Sequence, residues 1–293
     1  MQRRLVIIPG LRPVRGMCGV QLDSHCVEDV MRTFVISLPE SIERRARIEQ
    51  QLASQDVPFS FYDAINLNNE RNHYFHHCDE QRFLLNTGRT PTAGELGCFA
   101  SHLMLWRTCR LLDVPILVLE DDADIADDFG RTLPFVERYI KRFGFIRLQD
   151  NDKGGERNVI RQQQRHINFC TRYPHGSLGY AISPEVAHAF IEHSEIFRAP
   201  VDVFIKRYWE HGQALFSIAP ALASTSELSR HSTIVERQHA NRSLTLKSQR
   251  WWQKRLDFVA RAKFNVNWLR SERKRAALRM TRRIRLAGFR SQN

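Results

Sequence analysis

A continuous apolar run ends abruptly in acidic residues near the middle of this 293-residue chain. Residues 114–119 carry no polar side chain, whereas Glu120, Asp121 and Asp122 follow at once and Asp124 comes two positions later. A strand that is apolar throughout is buried on both faces, which requires helices on both sides of its sheet. The run therefore predicts the central strand of an α/β fold, with carboxylates at its carboxyl end.

The segment before this run has the order strand, helix, strand. Residues 34–38 form a short apolar run, a helical pattern extends over residues 42–54, and residues 59–62 alternate as a second strand that ends at Asp63. In α/β sheets ligands bind outside the carboxyl ends of the strands. This order predicts a Rossmann-type sheet with Asp63 at its binding edge.

Further elements are expected after residue 90. Residues 90–95 begin a long helix, in which Phe99, Leu103 and Trp106 recur at helical spacing. Residues 145–148 are a candidate strand, and a polar connection follows. Residues 176–183 contain two glycines and predict a loop that passes close to a ligand, before a helix that starts at Pro184.

The net charge of +12 is concentrated at the carboxyl-terminal end. Residues 247–293 contain fifteen Lys or Arg against Asp257 and Glu272, a charge of +13, which leaves about −1 for the other 246 residues. Basicity is therefore a property of this tail and says little about the rest of the chain.

The basic tail also carries apolar residues at helical spacing: Trp252, Leu256, Val259, Ala277, Met280 and Ile284. This pattern predicts an amphipathic helix that lies on an anionic membrane surface, where each nearby Lys or Arg contributes about 1 kcal/mol. A solvated tail is the alternative. Nucleic acid is disfavoured, because Trp251, Trp252 and Trp268 are interleaved with the cations.

The chain is expected to have three parts: an extension over residues 1–30, a catalytic domain over 31–245 and the basic helical tail over 246–293. The extension lacks periodicity, and Met31 is a possible true start. The first apolar stretch is too short for a secretory signal, no run is long enough to span a membrane, and the six cysteines form no CxxC pair. These features predict a cytoplasmic protein, peripheral on the inner face of the membrane.

Several short motifs, in this order and spacing, resemble glycosyltransferase family 25, which includes bacterial lipooligosaccharide β-galactosyltransferases and animal collagen galactosyltransferases. The resemblance extends from about Phe34 to Ile234. Its most specific part combines the Gly-Glu-Leu-Gly-Cys…Ser-His block with Glu-Asp-Asp. The motifs lie at residues 34–38, 43–45, 62–64, 94–102, 119–122, 179–183 and 200–202.

The resemblance implies a GT-A-like fold, a UDP-hexose donor, with galactose favoured, and inverting transfer to a lipid-linked oligosaccharide. It also implies a DxD-like motif that binds Mn²⁺ or Mg²⁺ at Glu120, Asp121 and Asp122, and carboxylates suit these ions. Asp122-Ala123-Asp124 is a literal DxD as well. We expect Asp122 as the principal ligand, with Glu120 and Asp124 as further candidates and Asp121 on the nucleotide sugar; an acidic first turn of a helix is the alternative.

Two residues outside the cluster are assigned by their positions in the motif series. Inversion requires a general base that deprotonates the acceptor hydroxyl, and Asp202 is the candidate, with a helix N-cap as its alternative. His231 lies where many GT-A enzymes supply a late histidine to the metal, although a lone histidine is often only a surface residue.

The remaining candidates are binding residues, each with a structural alternative. Ser37, Asp63 and Arg44 are expected at the nucleoside or diphosphate, or else form turns and a solvated helix face. Gly179 and Tyr180 are expected beside the donor sugar, or else form a tight turn with a core tyrosine. Glu95 and His102 share a helix face at the binding crevice, or else pair with each other. A second functional class, a non-catalytic nucleotide-sugar or nucleic-acid binding protein, stays open.

Overall fold

The computed structural model describes residues 11–12, 31–67, 78–151, 154–162, 164–226 and 244–290, with side chains of the last segment described as far as Lys274. Apart from residues 11–12, the predicted extension lies outside these residues. His231 lies outside them too. The elements follow in the order β1 (Leu11–Arg12), β2 (Arg32–Ser37), α1 (Ile42–Ala53), β3 (Phe59–Asp63), α2 (Glu80–Thr87), α3 (Ala93–Leu112), β4 (Ile116–Glu120), β5 (Ala123–Ile125), α4 (Phe129–Phe143), β6 (Phe145–Arg147), β7 (Gly155–Gln162), β8 (Arg165–Arg172), β9 (Gly179–Ile182), α5 (Pro184–His193), α6 (Val201–Lys206), α7 (Tyr208–His211), β10 (Phe216–Ala219), β11 (Ala223–Thr225) and α8 (Leu244–Arg290).

Nine of the strands form one mixed sheet in the order β1-β3-β2-β4-β9-β6-β10-β8-β7. β2 is parallel to both β3 and β4, and β6 is parallel to β10, whereas the other neighbours are antiparallel. β11 pairs with β5 in a small separate ribbon. This is the Rossmann-type mixed α/β sheet, with flanking helices and a basic carboxyl-terminal helix, that the sequence predicts.

The apolar runs of β2 and β4 are explained by two cores, one on each face of the sheet. Alternate residues of a strand point to opposite faces, so Leu117 and Leu119 join the core that includes α1 and α4, while Ile116 and Val118 join the core that includes α3 and α5. All four side chains are completely buried. β4 therefore has the central position that its sequence predicts.

The start of α3 is fixed against the loop that follows β3. Thr92 and Glu95 form a capping box, and Ser101 Oγ accepts a hydrogen bond of 2.9 Å from the Ile65 backbone N–H. A Cβ at Gly97 would lie 2.3 Å from the Ile65 carbonyl oxygen, so only glycine permits this approach. The Gly94–His102 motif thus holds α3 next to the carboxyl ends of β2 and β3.

Several expectations for the later part of the chain are wrong. Residues 176–183 do not form one loop, because β9 occupies Gly179–Ile182 and is buried between β4 and β6. The polar connection after residue 148 contains the hairpin of β7 and β8, whose exposed positions make it look like a loop in sequence. The helix-cap reading of the acidic cluster is also wrong, because β5 follows it and α4 begins only at Phe129.

The basic helix α8 packs against the domain through its first part. Trp268 stacks on Phe169 of β8 with ring centroids 3.8 Å apart. Asp257 accepts two hydrogen bonds of 2.6 Å from the Arg207 guanidinium, and Asn265 donates to the Thr171 carbonyl oxygen. Trp268 is therefore a packing residue, and its assignment to a membrane-facing pattern is wrong. Among the described helices, none is both long enough and apolar enough to span a bilayer.

Candidate functional site

The carboxyl ends of β2, β3 and β4 bring four predicted binding residues together. Ser37 Oγ donates a 2.6 Å hydrogen bond to Asp121 Oδ2, and Arg44 Nη1 lies 3.4 Å from Asp121 Oδ1. Arg45 donates to Asp63 Oδ1 at 2.6 Å and to the Ser37 carbonyl oxygen at 2.8 Å. The solvated-face alternative is wrong for both arginines, because they turn toward the strand ends and only about a fifth of each side chain is exposed.

Asp122 is the least compensated carboxylate of the cluster. Its Oδ1 is buried and has no hydrogen-bond partner among the described residues. Burial, together with the nearby charges of Glu120 and Asp121, raises the pKa of Asp122 to about 6. A side chain in this state interacts favourably with a cation, because a bound ion would replace both the missing partner and the missing opposite charge.

Glu120 is held ionised by two neighbours. Burial alone would raise its pKa, but His102, whose Nε2 lies 3.4 Å from Oε1, and Ser177, which donates at 2.5 Å, lower the pKa below the ordinary value. The histidine contact is long, and Nε2 makes no proper hydrogen bond. We therefore interpret it as an electrostatic contact that orients the ring toward the carboxylate.

His102 is oriented from its other side by a buried tyrosine. Nδ1 lies 2.8 Å from the Tyr180 hydroxyl, which also accepts a 2.8 Å hydrogen bond from Trp106 Nε1. Because the indole can only donate, the hydroxyl is free to donate to Nδ1, which leaves the Nε2 proton facing Glu120. The chain from Trp106 to Glu120 thus connects the core to the acidic edge.

The structure corrects the roles predicted for Gly179 and Tyr180. Tyr180 is completely buried, with its ring stacked on Phe145 at 5.0 Å, so it offers no face to a sugar or a base. Gly179 pairs with Leu119 across the sheet, and a Cβ there would lie 3.0 Å from the Leu119 side chain. Both residues act through packing, and Tyr180 reaches the site only through His102.

Glu95 and His102 have separate surroundings. Glu95 is buried in an ion pair with Arg89 and also completes the capping box of α3. His102 is fully buried beside Tyr180 and Glu120, so the alternative in which the two residues satisfy each other is wrong. Only His102 reaches the acidic edge through the contacts described here.

Cys98, His102 and Glu120 also place one potential metal-ligating atom each within 4.8 Å of one another. Burial raises the pKa of the Cys98 thiol well above its ordinary value, and four nearby carboxylates add to the effect. A metal-ligating cysteine must be a thiolate. The protonated thiol therefore fits a packed, uncharged neighbour of His102 better than a ligand.

Asp202 lies at the start of α6 and is held by the loop before β9. Its Oδ2 accepts from the Gly176 backbone N–H at 3.2 Å and lies 3.1 Å from His175 Nδ1, while Oδ1 accepts from the Val203 N–H at 2.8 Å. Burial opposes ionisation, yet these contacts lower the pKa of Asp202 below its ordinary value. The N-cap alternative is wrong, because Pro200 occupies that position.

His175 connects Asp202 to a cation. Its Nε2 lies 2.8 Å from Lys206 Nζ, and an ammonium group can only donate. In the neutral ring, this contact makes Nε2 the acceptor and places the proton on Nδ1, which faces Asp202. The charge of Asp202 also affects the pKa values of Glu120 and Cys98, so the candidate base shares one electrostatic environment with the acidic edge.

The sequence missed several residues of this site. His175 and Lys206 have no local signature, although the i+4 spacing of Lys206 from Asp202 was a usable signal. Ser177 sits in the segment that was read as a ligand loop. Asp124 is paired with Arg47, which leaves it less available than Asp122. His231 lies outside the described residues.

A divalent metal fits the side chains at the end of β4. Oδ1 of Asp122 has no described partner, and burial together with the charges of Glu120 and Asp121 raises the pKa of Asp122. A bound cation would offset this excess of negative charge. The donors are carboxylate oxygens, which match Mg²⁺ and Mn²⁺ rather than softer metals.

A family model described as glycosyltransferase family 25 (LPS biosynthesis protein) matches residues 31–205, more than half of the chain. The chain belongs to glycosyltransferase family 25. The matched part of this family 25 chain contains β2, β4 and the start of α6, and thus every residue described above from Ser37 to Asp202.

Individual relatives agree with this placement. The lipooligosaccharide biosynthesis protein lic2B of Haemophilus influenzae is 30% identical over 55% of this chain and 62% of its own length, so the match spans less than two thirds of that protein. The lacto-N-neotetraose biosynthesis glycosyltransferase LgtE of Neisseria meningitidis serogroup B is 30% identical over 68% and 75%. A mouse relative, 27% identical over 67% of this chain and 37% of its own length, is named inactive glycosyltransferase 25 family member 3. Family membership alone therefore does not establish catalysis.

Proposed function

We propose that this family 25 chain is an inverting, metal-dependent glycosyltransferase that moves galactose from a UDP-sugar to the oligosaccharide of lipooligosaccharide or lipopolysaccharide. The observation that carries the proposal is Asp122, whose buried Oδ1 has no described partner, beside Glu120 and Asp121 at the end of the central strand. A side chain in this condition is costly for a protein that binds no cation. The proposed donor and acceptor positions lie on either side of Asp122.

The nucleoside is assigned to the edge formed by β2 and β3. Asp63 presents a carboxylate that Arg45 holds in place, and Ser37 lies between this pair and Asp121. These groups supply hydrogen-bond partners for uracil and ribose. Arg44, beside Asp121, is assigned to the diphosphate.

Glu120 and Asp122 would hold the metal, and Asp124 is a further candidate ligand. When bound, a divalent ion neutralises charge on the departing diphosphate. Glu120 is fixed for this task by Ser177 and His102, so that its carboxylate does not have to reorganise.

Asp202 is assigned as the general base. It is ionised at neutral pH, and His175 and the Gly176 N–H fix its carboxylate, so that it accepts the proton of an acceptor hydroxyl as that oxygen attacks the sugar. Attack from the side opposite the leaving diphosphate inverts the anomeric carbon. The proton ends on Asp202, and UDP leaves.

The experiment is UDP release from UDP-galactose, with Mn²⁺ or with a chelator, by the wild type and by single variants. We expect Asp122→Asn to remove the Mn²⁺-dependent turnover and Asp202→Asn to lower kcat by about 100-fold or more. Asp127→Asn, at an exposed carboxylate close by, is the matched control and should behave as wild type. Full activity in Asp202→Asn would place the base elsewhere.

A panel of nucleotide sugars tests the donor. If no UDP-hexose is turned over while another nucleotide sugar is, the donor assignment fails but the transferase assignment stands. The second functional class, a non-catalytic binding protein, is favoured by relatives whose names call them inactive, such as the mouse protein. Binding of UDP-galactose without release of UDP, under all metal conditions, would support that class.

We also propose that α8 rests on an anionic membrane surface, at the cytoplasmic face where a lipid-linked acceptor is exposed. Trp252, Leu256, Val259 and Val266 lie along one stripe of the helix, and between 45% and 62% of each is exposed. Lys263 and Arg270 lie on the same stripe. An exposed apolar stripe among cations matches the interfacial type of helix.

A further inference from the structure

A cavity of about 670 Å³ lies beside the loop that holds Asp202. Its walls come from β6, β8, β11, α6, α7 and α8, so the fold assembles it from distant parts of the chain. The cations that line it are Arg147, Arg172, Lys206 and Arg261, and the one acid is Asp150. With neutral histidine the lining carries a net charge of about +3.

The cations of this cavity lack ion pairs among the described residues. Among the described residues, no carboxylate lies within ion-pair distance of Arg147, Arg172 or Arg261, whereas Lys206 contacts His175 and is influenced by the charges of Asp202 and Asp257. Arg207, the other buried arginine among the described residues, is paired with Asp257. Described carboxylates therefore balance the positive charge of the cavity only in part, and its three arginines have no described counter-ion.

Arg147 is a buried cation of the cavity wall, because only 2% of the residue is exposed. Its guanidinium donates to the His175 and Gly176 carbonyl oxygens and to the Tyr173 hydroxyl, all of them uncharged, and Nε has no partner. A buried charge without a counter-ion is costly. A site that retains it is suited to an anion, and guanidinium groups match phosphate and carboxylate with paired hydrogen bonds.

The position of the cavity separates it from the nucleoside end of the site. β2, β4, β9 and β6 are successive neighbours, so three strand spacings, about 14 Å, lie between Ser37 and Arg147. The acidic edge on β4 lies between them. The cavity is thus on the far side of the metal and diphosphate positions, where the second substrate must enter.

Trp209 gives the cavity a surface for a sugar ring. It lines the cavity, is partly exposed and has the Arg207 guanidinium 5.2 Å from its ring centroid. An aromatic face with a few polar groups is typical of small-molecule sites. His175, which also lines the cavity, contacts Asp202 directly, so a sugar bound here lies next to the proposed base.

We propose that this cavity is the acceptor subsite and that it takes a sugar bearing a phosphate or carboxylate group. The inference deepens the proposed function and rests on it. Arg147, Arg172 and Arg261 hold the anionic group, Trp209 packs on the ring, and the free hydroxyl points to Asp202. α8 is then part of the substrate site, because it supplies Arg261.

The test uses methyl glucoside, methyl glucoside 6-phosphate and methyl glucuronide. Calorimetric titration without donor gives their affinities, and UDP release with UDP-galactose and Mn²⁺ gives KM and kcat for each as acceptor. We expect the two anionic compounds to bind about tenfold or more tightly than methyl glucoside at low ionic strength. The phosphate and glucuronide arms show which anion is preferred.

The variant is Arg172→Gln with Arg261→Gln, two side chains that make no hydrogen bond or ion pair in the described structure. The matched control is Arg157→Gln with Arg273→Gln, which removes the same charge from exposed positions of β7 and α8. We expect the variant to lose most of the preference for the anionic sugars, with its KM for UDP-galactose unchanged, and the control to keep that preference.

Three results would overturn the acceptor subsite. The first is equal affinity of the wild type for methyl glucoside and for both anionic compounds. The second is a preference for the anionic compounds that survives the double substitution. The third is a loss that appears only in the KM for UDP-galactose, which would assign these cations to the donor diphosphate. Failure of the proposed function looks different: no nucleotide sugar is turned over, while the wild type still binds the sugar phosphate and the variant does not.

Discussion

Three successive carboxylates at the end of β4 have unequal surroundings. Asp121 is held by Ser37 and Arg44, and Glu120 by Ser177 and His102, whereas Asp122 Oδ1 has no described partner. The pKa of Asp122 in the folded protein, about 6, lies above its ordinary value of 3.8. Ionisation of this side chain therefore costs folding free energy, fully above about pH 6 and progressively less as the pH falls toward 4.

We predict that Asp122→Asn stabilises the metal-free protein at pH 7.5 by on the order of 2 kcal/mol, and by less at pH 4. Urea unfolding in the presence of a chelator measures the difference. Added Mn²⁺ should stabilise the wild type, because a ligand that binds only the folded state shifts the equilibrium, and should not stabilise the variant. A variant that is less stable at pH 7.5 would mean that the carboxylate supports the fold.

At this scale the sequence predicted the identity of many site residues but not their partners. Asp121 and Asp122 were predicted because carboxylates at strand ends follow simple rules, and Asp202 was predicted from the motifs that resemble the family. The burial of Tyr180 and the separation of Glu95 from His102 were not predictable, because they depend on which sheet face and which loop each residue meets. Periodicity describes one element at a time and contains no such information.

The carboxyl-terminal helix α8 is the element for which the structure differs most from the sequence-based prediction. Its helical character was predictable from spacing and composition. Its attachment to the domain was not, because Asp257, Asn265 and Trp268 look in sequence like members of a basic amphipathic tail. Their partners Arg207, Thr171 and Phe169 lie about 50 to 100 residues earlier.

We predict that Asp257→Asn lowers the free energy of unfolding by about 3 kcal/mol, because it leaves the buried Arg207 with a weaker partner. The control is Glu210→Gln, at a partner of Arg207 whose side chain is 53% exposed, for which the loss should stay below about 1 kcal/mol. Chemical denaturation of both variants checks this. Equal, small losses would show that α8 is only loosely attached.

At the scale of the elements, β2, β3, β4 and α3 could be read from sequence because strong apolar patterns and a capping box mark them. The hairpin of β7 and β8 could not, because one of its strands is exposed at the sheet edge and has few apolar residues. β9 is short and begins with a glycine, which by itself indicates a turn. Its burial comes from its neighbours β4 and β6.

The whole molecule has an uneven distribution of charge and apolar surface. The core-facing side of α8 carries Trp268 and Asp257, whereas Trp252, Leu256 and Val259 lie on another side of the helix and are exposed. Membrane contact through this stripe would leave the packing of α8 intact. Removing the tail would instead remove domain contacts as well, so point substitutions are the better test.

We predict that Trp252→Ser, Leu256→Ser and Val259→Ser together lower binding to phosphatidylglycerol vesicles by about a hundredfold, at about 1 kcal/mol for each side chain. Co-sedimentation at low salt measures this, with phosphatidylcholine vesicles as the neutral comparison. The matched control is Ile42→Ser, Leu111→Ser and Ile196→Ser, at exposed apolar residues elsewhere on the surface. Unchanged binding of the α8 variant would refute the membrane proposal.

The order of the elements along the chain determines when each part of the proposed site is synthesised. α8 follows all other described elements in sequence, yet it lines the acceptor cavity and contacts β8 and the segment between α6 and α7. At about 5 to 20 residues per second, Trp268 is added to the growing chain about 2 to 9 seconds after the end of β11. β2, β3 and β4, which carry the proposed nucleotide edge, are thus synthesised first, and the proposed acceptor cavity is completed only when this helix has been made.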